Sequence, residues 1–327
     1  MKSTIEDVAR AAGVSTATVS NALNGTGRAS AATRARVREV AATLGYRPNA
    51  AGRTLRTGRT GVLALAVTTF GERAWNFAEV AYYAHMVAAA TSAAHARGYA
   101  LMVLPTGLDA DGWHAVSADG VVLLDSPQGD PAVEILRSRD IPIAFDGEPH
   151  EFGPRDSWVD NDHAATTAMV VSHLQSQGAR RIGLLAQDTS DRYTQAVVAA
   201  YRSLVPEPLV CLVGLVGGSD STGRAEAERL LRDGADAVYG LLDHCGHGVL
   251  AAATHLGLRV PEDVLVVTAS EDPAYAAMSP SVSTVSLRPE ETITAAVEAL
   301  AAVIAGGQPS VRTDLATELL VRDSSVR

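Results

Sequence analysis

Val62-Leu63-Ala64-Leu65-Ala66-Val67 contains no polar side chain. A strand with one wet face alternates apolar and polar residues, whereas a strand covered on both faces by helices reads as an unbroken apolar run. Strand-length runs recur at Ala100–Leu104, Gly120–Leu124, Pro142–Phe145, Arg181–Ala186, Leu209–Leu215, Ala237–Leu241 and Val264–Thr268. Helix-length segments separate them at Phe77–Arg97, Pro131–Ser138, His163–Gln177, Tyr193–Leu204, Gly223–Asp233 and Gly246–Leu256, and Pro289–Ala305 follows. This alternation predicts an α/β body of doubly wound parallel sheets. The period restarts after Val159-Asp160-Asn161-Asp162, so residues 61–327 divide into two subdomains, 61–158 with 289–327 and 159–288. The helix from Pro289 and the tail over Leu315–Val321 return to the first, giving three crossings.

The first sixty residues follow a different rule. Thr4 can cap a helix that begins Ile5-Glu6-Asp7, with acids where the helix dipole favours them and Ile5, Val8, Ala9 and Ala12 in one stripe. Gly13 stops it. Ser15 then caps a second helix whose Val19, Ala22 and Leu23 face inward, leaving Thr16, Ala17, Ser20 and Asn21 outside. The pair is a helix-turn-helix with a polar, almost acid-free outer face, suited to base edges and phosphates. Asn21 can pair with adenine through two hydrogen bonds, and the Thr16 and Ala17 methyls fit a thymine methyl.

Ser30 to Thr33 leads into a third helix with Val37, Val40, Ala41 and Leu44 inward and Gly45 at its end. Arg34, Arg36 and Arg38 lie in its first half, the wrong end for the dipole and the right chemistry for phosphate. Residues 1–60 hold ten Lys and Arg against three acids. The whole chain has 27 basic and 37 acidic residues, so the headpiece is +7 and the remainder −17. A basic arm on an acidic body directs the arm to a polyanion and keeps the body off it.

Residues 4–60 resemble the headpiece of the lactose-repressor (LacI/GalR) family of bacterial transcription regulators. The matching positions are Thr4-Ile5-Glu6-Asp7-Val8-Ala9, Ala12-Gly13-Val14-Ser15, Thr18-Val19-Ser20, Leu23-Asn24 and Gly45-Tyr46-Arg47-Pro48-Asn49, with Leu55 beyond. The resemblance implies an α-helical headpiece (1–46), a hinge helix and linker (47–60) and an effector-binding, dimerising body like the periplasmic sugar-binding proteins (61–327). It implies Thr16, Ala17 and Asn21 as readers of the major groove, with Ser15, Thr18, Ser20, Asn24, Arg28, Ser30 and Thr33 near the backbone. Asn49 to Thr57 would form the hinge, where Leu55 wedges into the minor groove and Arg53 and Arg56 meet phosphates or groove walls. Gly52 stands where the family usually has Ala, which costs a helix interior about 1 kcal/mol. The implied function is a homodimeric repressor of a pseudo-palindromic operator, controlled by a small molecule between the subdomains.

The cleft departs from the family pattern. Counting along the chain, Val197 falls where sugar- and purine-binding members carry Arg, Leu242-Asp243 where they carry Asn-Asp, and Ala269-Ser270-Glu271-Asp272 where they carry Gly-aromatic-Asp-Asp. Val and Leu cannot pair with vicinal hydroxyls. Asp146, Asp160, Asp243 and Glu271 would line the cleft and favour a cationic or hydrogen-bond-donating ligand. The same changes fit a cleft that has lost its effector.

Enzyme chemistry finds no footing: G-x-S-x-G, G-x-x-x-x-G-K-[ST] and H-E-x-x-H are all absent. Gly214 to Gly218 lacks the lysine and spacing of a phosphate loop. His244-Cys245 with His247 reads as a helix start near a cleft rather than a metal site, and no cofactor or metal is expected. Trp75, Trp113 and Trp158 are core, interface or ligand-stacking residues. The sequence opens without a secretory signal and has no bilayer-length apolar run, so a cytoplasmic protein without disulfides is expected from Cys211 and Cys245. A solute-binding protein, the reading from another class, leaves residues 1–60 unexplained.

Overall fold

The computed structural model describes residues 3–24, 27–46, 58–68, 76–214 and 223–327, which form two compact units, Met1–Thr60 and Gly61–Arg327. In the first, α1 (Ile5–Ala12), α2 (Thr16–Asn24) and α3 (Ala31–Thr43) enclose Val8, Ala12, Val19, Ala22, Val37 and Ala41. Thr4 closes a capping box with Asp7: the Asp7 amide donates to Thr4 Oγ1 at 3.3 Å and the Thr4 amide to Asp7 Oδ2 at 3.0 Å. Such a cap stabilises by about 1 kcal/mol, a large share for a core this small. Gly13 ends α1 at φ 63°, where a side chain would be strained. Leu44, expected inside, is 37 % exposed; the chain leaves α3 there and half-buried Tyr46 packs on the core instead.

The second unit contains two six-stranded sheets. Its elements are β1 (Val62–Val67), α4 (Ala81–Ala96), β2 (Ala100–Val103), α5 (Ala110–Ala115), β3 (Gly120–Leu124), α6 (Pro131–Ser138), β4 (Ile143–Asp146) and β5 (Asp156–Asn161). There follow α7 (His163–Ser176), β6 (Ile182–Gln187), α8 (Arg192–Leu204), β7 (Leu209–Val213), α9 (Arg224–Arg232), β8 (Ala237–Gly240), α10 (Cys245–Leu256) and β9 (Leu265–Ala269). The chain closes with α11 (Ala274–Ala277), β10 (Ser283–Ser286), α12 (Pro289–Ile304), β11 (Val311–Leu315) and β12 (Glu318–Leu320). The sheet orders are β11-β5-β4-β3-β1-β2 and β12-β10-β9-β8-β6-β7, parallel throughout except for β12 against β10. Each order reverses direction at its first strand, where a doubly wound sheet opens a crevice at its carboxyl end.

Burial explains the apolar runs. Leu63, Leu65 and Val67 face α4 and α12, while Ala64 and Ala66 face Trp113, Leu136 and Phe145 on the opposite side. Each fully buried leucine contributes about 2 to 3 kcal/mol, so both faces of β1 stabilise the sheet. Gly120 lets α12 approach: a Cβ there would lie 2.8 Å from Leu300 Cδ1.

Several boundaries differ from expectation. The helix expected over Phe77–Arg97 is a short 3₁₀ turn, Phe77–Glu79, an extended Val80 and then α4. The strand from Leu209 ends at Val213. Five elements were unforeseen, α5, β5, α11, β10 and β11, and β5 carries the first sheet to Asn161, past the expected boundary at 158. The tail divides: β11 joins β5 in the first sheet, but β12 joins β10 in the second, contrary to a wholly first-half assignment for 289–327. The chain still crosses three times, after β5, after β10 and after β11. These crossings are tied together by Asn161 Nδ2 donating to the Leu315 carbonyl at 3.2 Å, a 2.8 Å contact between the Thr166 and Thr317 hydroxyls, and an Arg288–Glu318 ion pair at 2.6 Å.

Candidate functional site

In the headpiece, Ser15 and Ser30 serve as the same device. Ser15 Oγ accepts from the Thr18 amide and Ser30 Oγ from the Thr33 amide, each at 3.1 Å, with the two hydroxyls of each pair 2.9 Å apart. Each fixes a helix N-terminus whose remaining amides suit an anion. Thr16, Ala17 and Arg28 are exposed, and Ser20 and Asn21 are half-buried. Asn21 lies against Gly27, where a Cβ would meet its Nδ2 at 2.9 Å, so this side chain is held by the turn after α2. Arg34 donates to the carbonyls of Ala29 at 3.1 Å and Gly27 at 3.3 Å, which makes it a brace for the same turn; Arg36 and Arg38 are exposed. The side chain of Asn24, and Asn49, Gly52, Arg53, Leu55 and Arg56 of the expected hinge, lie outside the described residues, as does Trp75.

In the body, the carboxyl ends of strands from both sheets line a cleft of about 950 Å³, open solvent at its mouth included. Five of the six expected effector residues are there: Asp146, Asp160, Leu242, Asp243 and Glu271. Val197 is not. It is 1 % exposed and packs with Tyr201 in the core of the second sheet, because Thr194, Val197 and Tyr201 form the inward stripe of α8. Trp113 is buried in the first core and Trp158 packs beside it, so neither lines the cleft.

The sequence reading missed Asp125 and Asp191. Asp125 follows β3 with φ 51°, a left-handed backbone uncommon outside glycine, and Asp tolerates it better than most. Tyr83 donates to its Oδ2 at 2.5 Å, and Tyr82 to Asp146 Oδ2 at 2.9 Å. Burial, with Asp191 nearby, pushes the Asp125 carboxyl up to about 7 against the pull of the Tyr83 hydrogen bond. Burial and the neighbouring Asp125 and Asp160 raise Asp146 well above the ordinary carboxylate range. Burial also raises Glu271, partly offset by hydrogen bonds from Ser286 Oγ and the Leu287 amide, both 2.9 Å. Asp191 caps α8 by accepting from the Thr194 amide at 2.7 Å. Strand-end position was the available signal for Asp125; a lone Asp after an apolar run was not distinctive by type.

Asp160 accepts from the amides of Glu148 at 3.0 Å and Asn161 at 2.8 Å. His163, 9 % exposed, brings Nε2 to 2.7 Å from Asp160 Oδ1 without the alignment of a hydrogen bond, and its Nδ1 has no partner among the described residues. Its ring meets Tyr193 edge-on, centroids 5.0 Å apart. Ser270 donates to Asp243, and Tyr275 donates to the Asp243 carbonyl at 2.6 Å, stiffening the turn after β8. Cys245 is buried in the core and its thiol is pushed up to about 12 by that burial, so the His244-Cys245-His247 run is a packed helix start. Across the cleft mouth, Arg192 pairs with Glu148 at 2.7 Å, and His150 Nε2 meets the Ser190 carbonyl at 2.8 Å.

Two family models match this chain. Residues 4–49 match bacterial regulatory proteins of the lacI family, and residues 171–325 match a periplasmic binding protein-like domain. The HTH-type transcriptional regulator CelR of Thermobifida fusca is 33 % identical, with 98 % of each chain covered. The structure of a CelR–cellobiose complex superimposes with a TM-score of 0.71 at 28 % identity, over 99 % of this chain and all of that one. A lac repressor dimer bound to operator and an anti-inducer shares the fold, with a TM-score of 0.80 at 22 % identity over the full length of both. Among the described residues, no helix is long and apolar enough to cross a membrane.

Proposed function

We propose that this chain, which belongs to the lacI family of bacterial regulatory proteins, represses transcription by binding a pseudo-palindromic operator as a homodimer, under control of a small molecule held in the cleft of its body. The cleft carries this reading: strand ends from two sheets joined by three crossings converge on one space that a change in their mutual angle opens or closes. Two headpieces on a two-fold body would occupy half-sites about one helical turn apart. Thr16 and Ala17 would meet base edges, Asn21 would read from a position set by Gly27, and Ser15, Thr18, Ser20, Asn24, Arg28, Ser30 and Thr33 would hold the backbone. Asn49, Arg53, Leu55 and Arg56 complete the proposed interface as a hinge at the operator centre.

A ligand that favours one closure angle changes operator affinity only by its difference in affinity for the two angles, commonly about 1 to 3 kcal/mol. The test is selection of bound sequences from random duplex DNA by the full chain, then operator titration with and without candidate small molecules. A palindrome whose binding a ligand weakens supports the proposal. A palindrome that no ligand affects would restrict the function to unliganded repression, and no selected sequence would refute specific recognition.

A further inference from the structure

Among the described residues the cleft has an excess of acceptors. Asp125, Asp146, Asp160, Asp191, Asp243 and Glu271 all line it, and no Lys or Arg of the described residues does. Its hydroxyl donors are already engaged: Tyr82 with Asp146, Tyr83 with Asp125, Tyr193 with the Leu241 carbonyl at 3.4 Å, and Ser270 with Asp243. Asn161 gives one Nδ2 hydrogen to the Leu315 carbonyl. What remains for a ligand is carboxylate lone pairs, the side chains of Gln187 and His244, and His163, a side chain nine-tenths buried whose Nδ1 has no partner among the described residues.

Resting on the effector reading above, we infer that the cleft takes a ligand bearing a protonated primary amine on a compact, hydroxyl-bearing or linear body. Closing the two halves removes water from the carboxylates. A neutral ligand would leave those that are ionised as uncompensated buried charges, and the protonated ones unable to ionise, whereas an ammonium offers three donors and the opposite charge. The raised carboxyl of Asp125 fits the same account, since burial and the neighbouring Asp191 and Asp160 outweigh the pull of Tyr83 and His163. Where the family carries an Asn, Leu242 stands at the cleft wall and offers no amide to an uncharged polyol.

The experiment is calorimetric titration of the full chain at pH 7 with three probes: cellobiose, its diamino counterpart in which each ring carries an amine at C2, and putrescine. The diamino sugar should bind at least about tenfold tighter than cellobiose and weaken with added salt. Tight binding by putrescine alone would assign the same ammonium chemistry to a linear body. Cellobiose binding as well as the diamine, or no saturable binding by either amine, would overturn the inference.

Asp125→Asn and Asp243→Asn, each with a cooperative melt, should both lose about tenfold in amine affinity; unchanged affinity in both would also overturn it. A measurement on the unaltered chain supplements these. At pH 7 putrescine, which is already fully protonated, should release protons on binding, read from titrations in two buffers of different ionisation heat, as Asp125 ionises beside Asp191, Asp160, His163 and Tyr83. Proton uptake on putrescine binding would contradict this assignment. Operator titration separates the two readings. An amine that binds without changing operator affinity leaves the ligand class intact and refutes the effector role, whereas cellobiose binding that changes operator affinity does the reverse.

Discussion

Asp125 concentrates the body's electrostatic cost in one side chain. Its carboxyl holds its proton up to about pH 7, whereas in an unfolded chain it titrates near about 3.9. Between those values the folded state retains a proton that the unfolded state has lost, so this group lowers stability progressively as pH rises from about 4 to 7, and fully above. Asp125→Asn keeps an acceptor for Tyr83, tolerates the left-handed backbone and removes the ionisation. It should raise the melting temperature of the ligand-free protein by a few degrees at pH 8 and by much less at pH 5. Equal shifts at both pH values, seen by scanning calorimetry, would mean the effect is packing rather than charge. In the headpiece, Asn21→Ala should weaken a selected operator more than random DNA, since base readout is lost while phosphate contacts remain. Equal losses in competition titrations would move Asn21 from reading to bracing, the alternative its contact with Gly27 suggests.

Elements show how far the sequence could be read. Apolar runs and caps located β1, β3, α6, α7 and the three headpiece helices because burial on two faces, or a Ser-x-x-Thr start, leaves a local mark. β5 left none: Asp156 and Ser157 are buried in it, and the Asp156 carboxylate is satisfied by Arg137 and by the Gly153 amide at 2.7 Å, partners that local patterning cannot reveal. Val197 was misplaced by counting along the chain, although the spacing of Thr194, Val197 and Tyr201 already marked a core-facing stripe. Four of the cleft's carboxylates were legible; Asp125 and Asp191 were not, because their proximity arises only when two sheets meet. Close packing also fixes the turn after β8. A Cβ on Gly240 would fall 2.5 Å from Cys245 Cβ, an atom too near its own backbone to move aside. Gly240→Ala should therefore cost about 1 to 3 kcal/mol and displace Leu242 to His244, lowering both the denaturant midpoint and ligand affinity. A variant as stable as the parent would show that α10 can retreat.

At the scale of the body, the Glu148–Arg192 pair joins its two halves through exposed side chains. Exposed pairs contribute about 0.2 to 1 kcal/mol, so this one shifts the balance between open and closed cleft by at most about fivefold. Arg192→Ala should enlarge the average radius of the ligand-free protein slightly in small-angle scattering and weaken ligand binding by less than fivefold. A larger loss would place Arg192 in contact with the ligand itself.

The three crossings between the halves limit how the protein can be recombined. The first half is assembled from residues on either side of the second, and β12 returns to the second after β11 has completed the first. No single cut yields a whole half, so a chimera that exchanges one half with a relative needs several junctions, all inside the tied segments where mismatched partners would meet. The headpiece, one uninterrupted stretch through Thr60, can be exchanged at a single junction. The architecture thus makes exchange of the headpiece a one-step genetic event and exchange of half the cleft a concerted one, leaving point substitution as the accessible route by which the lining of the cleft diverges.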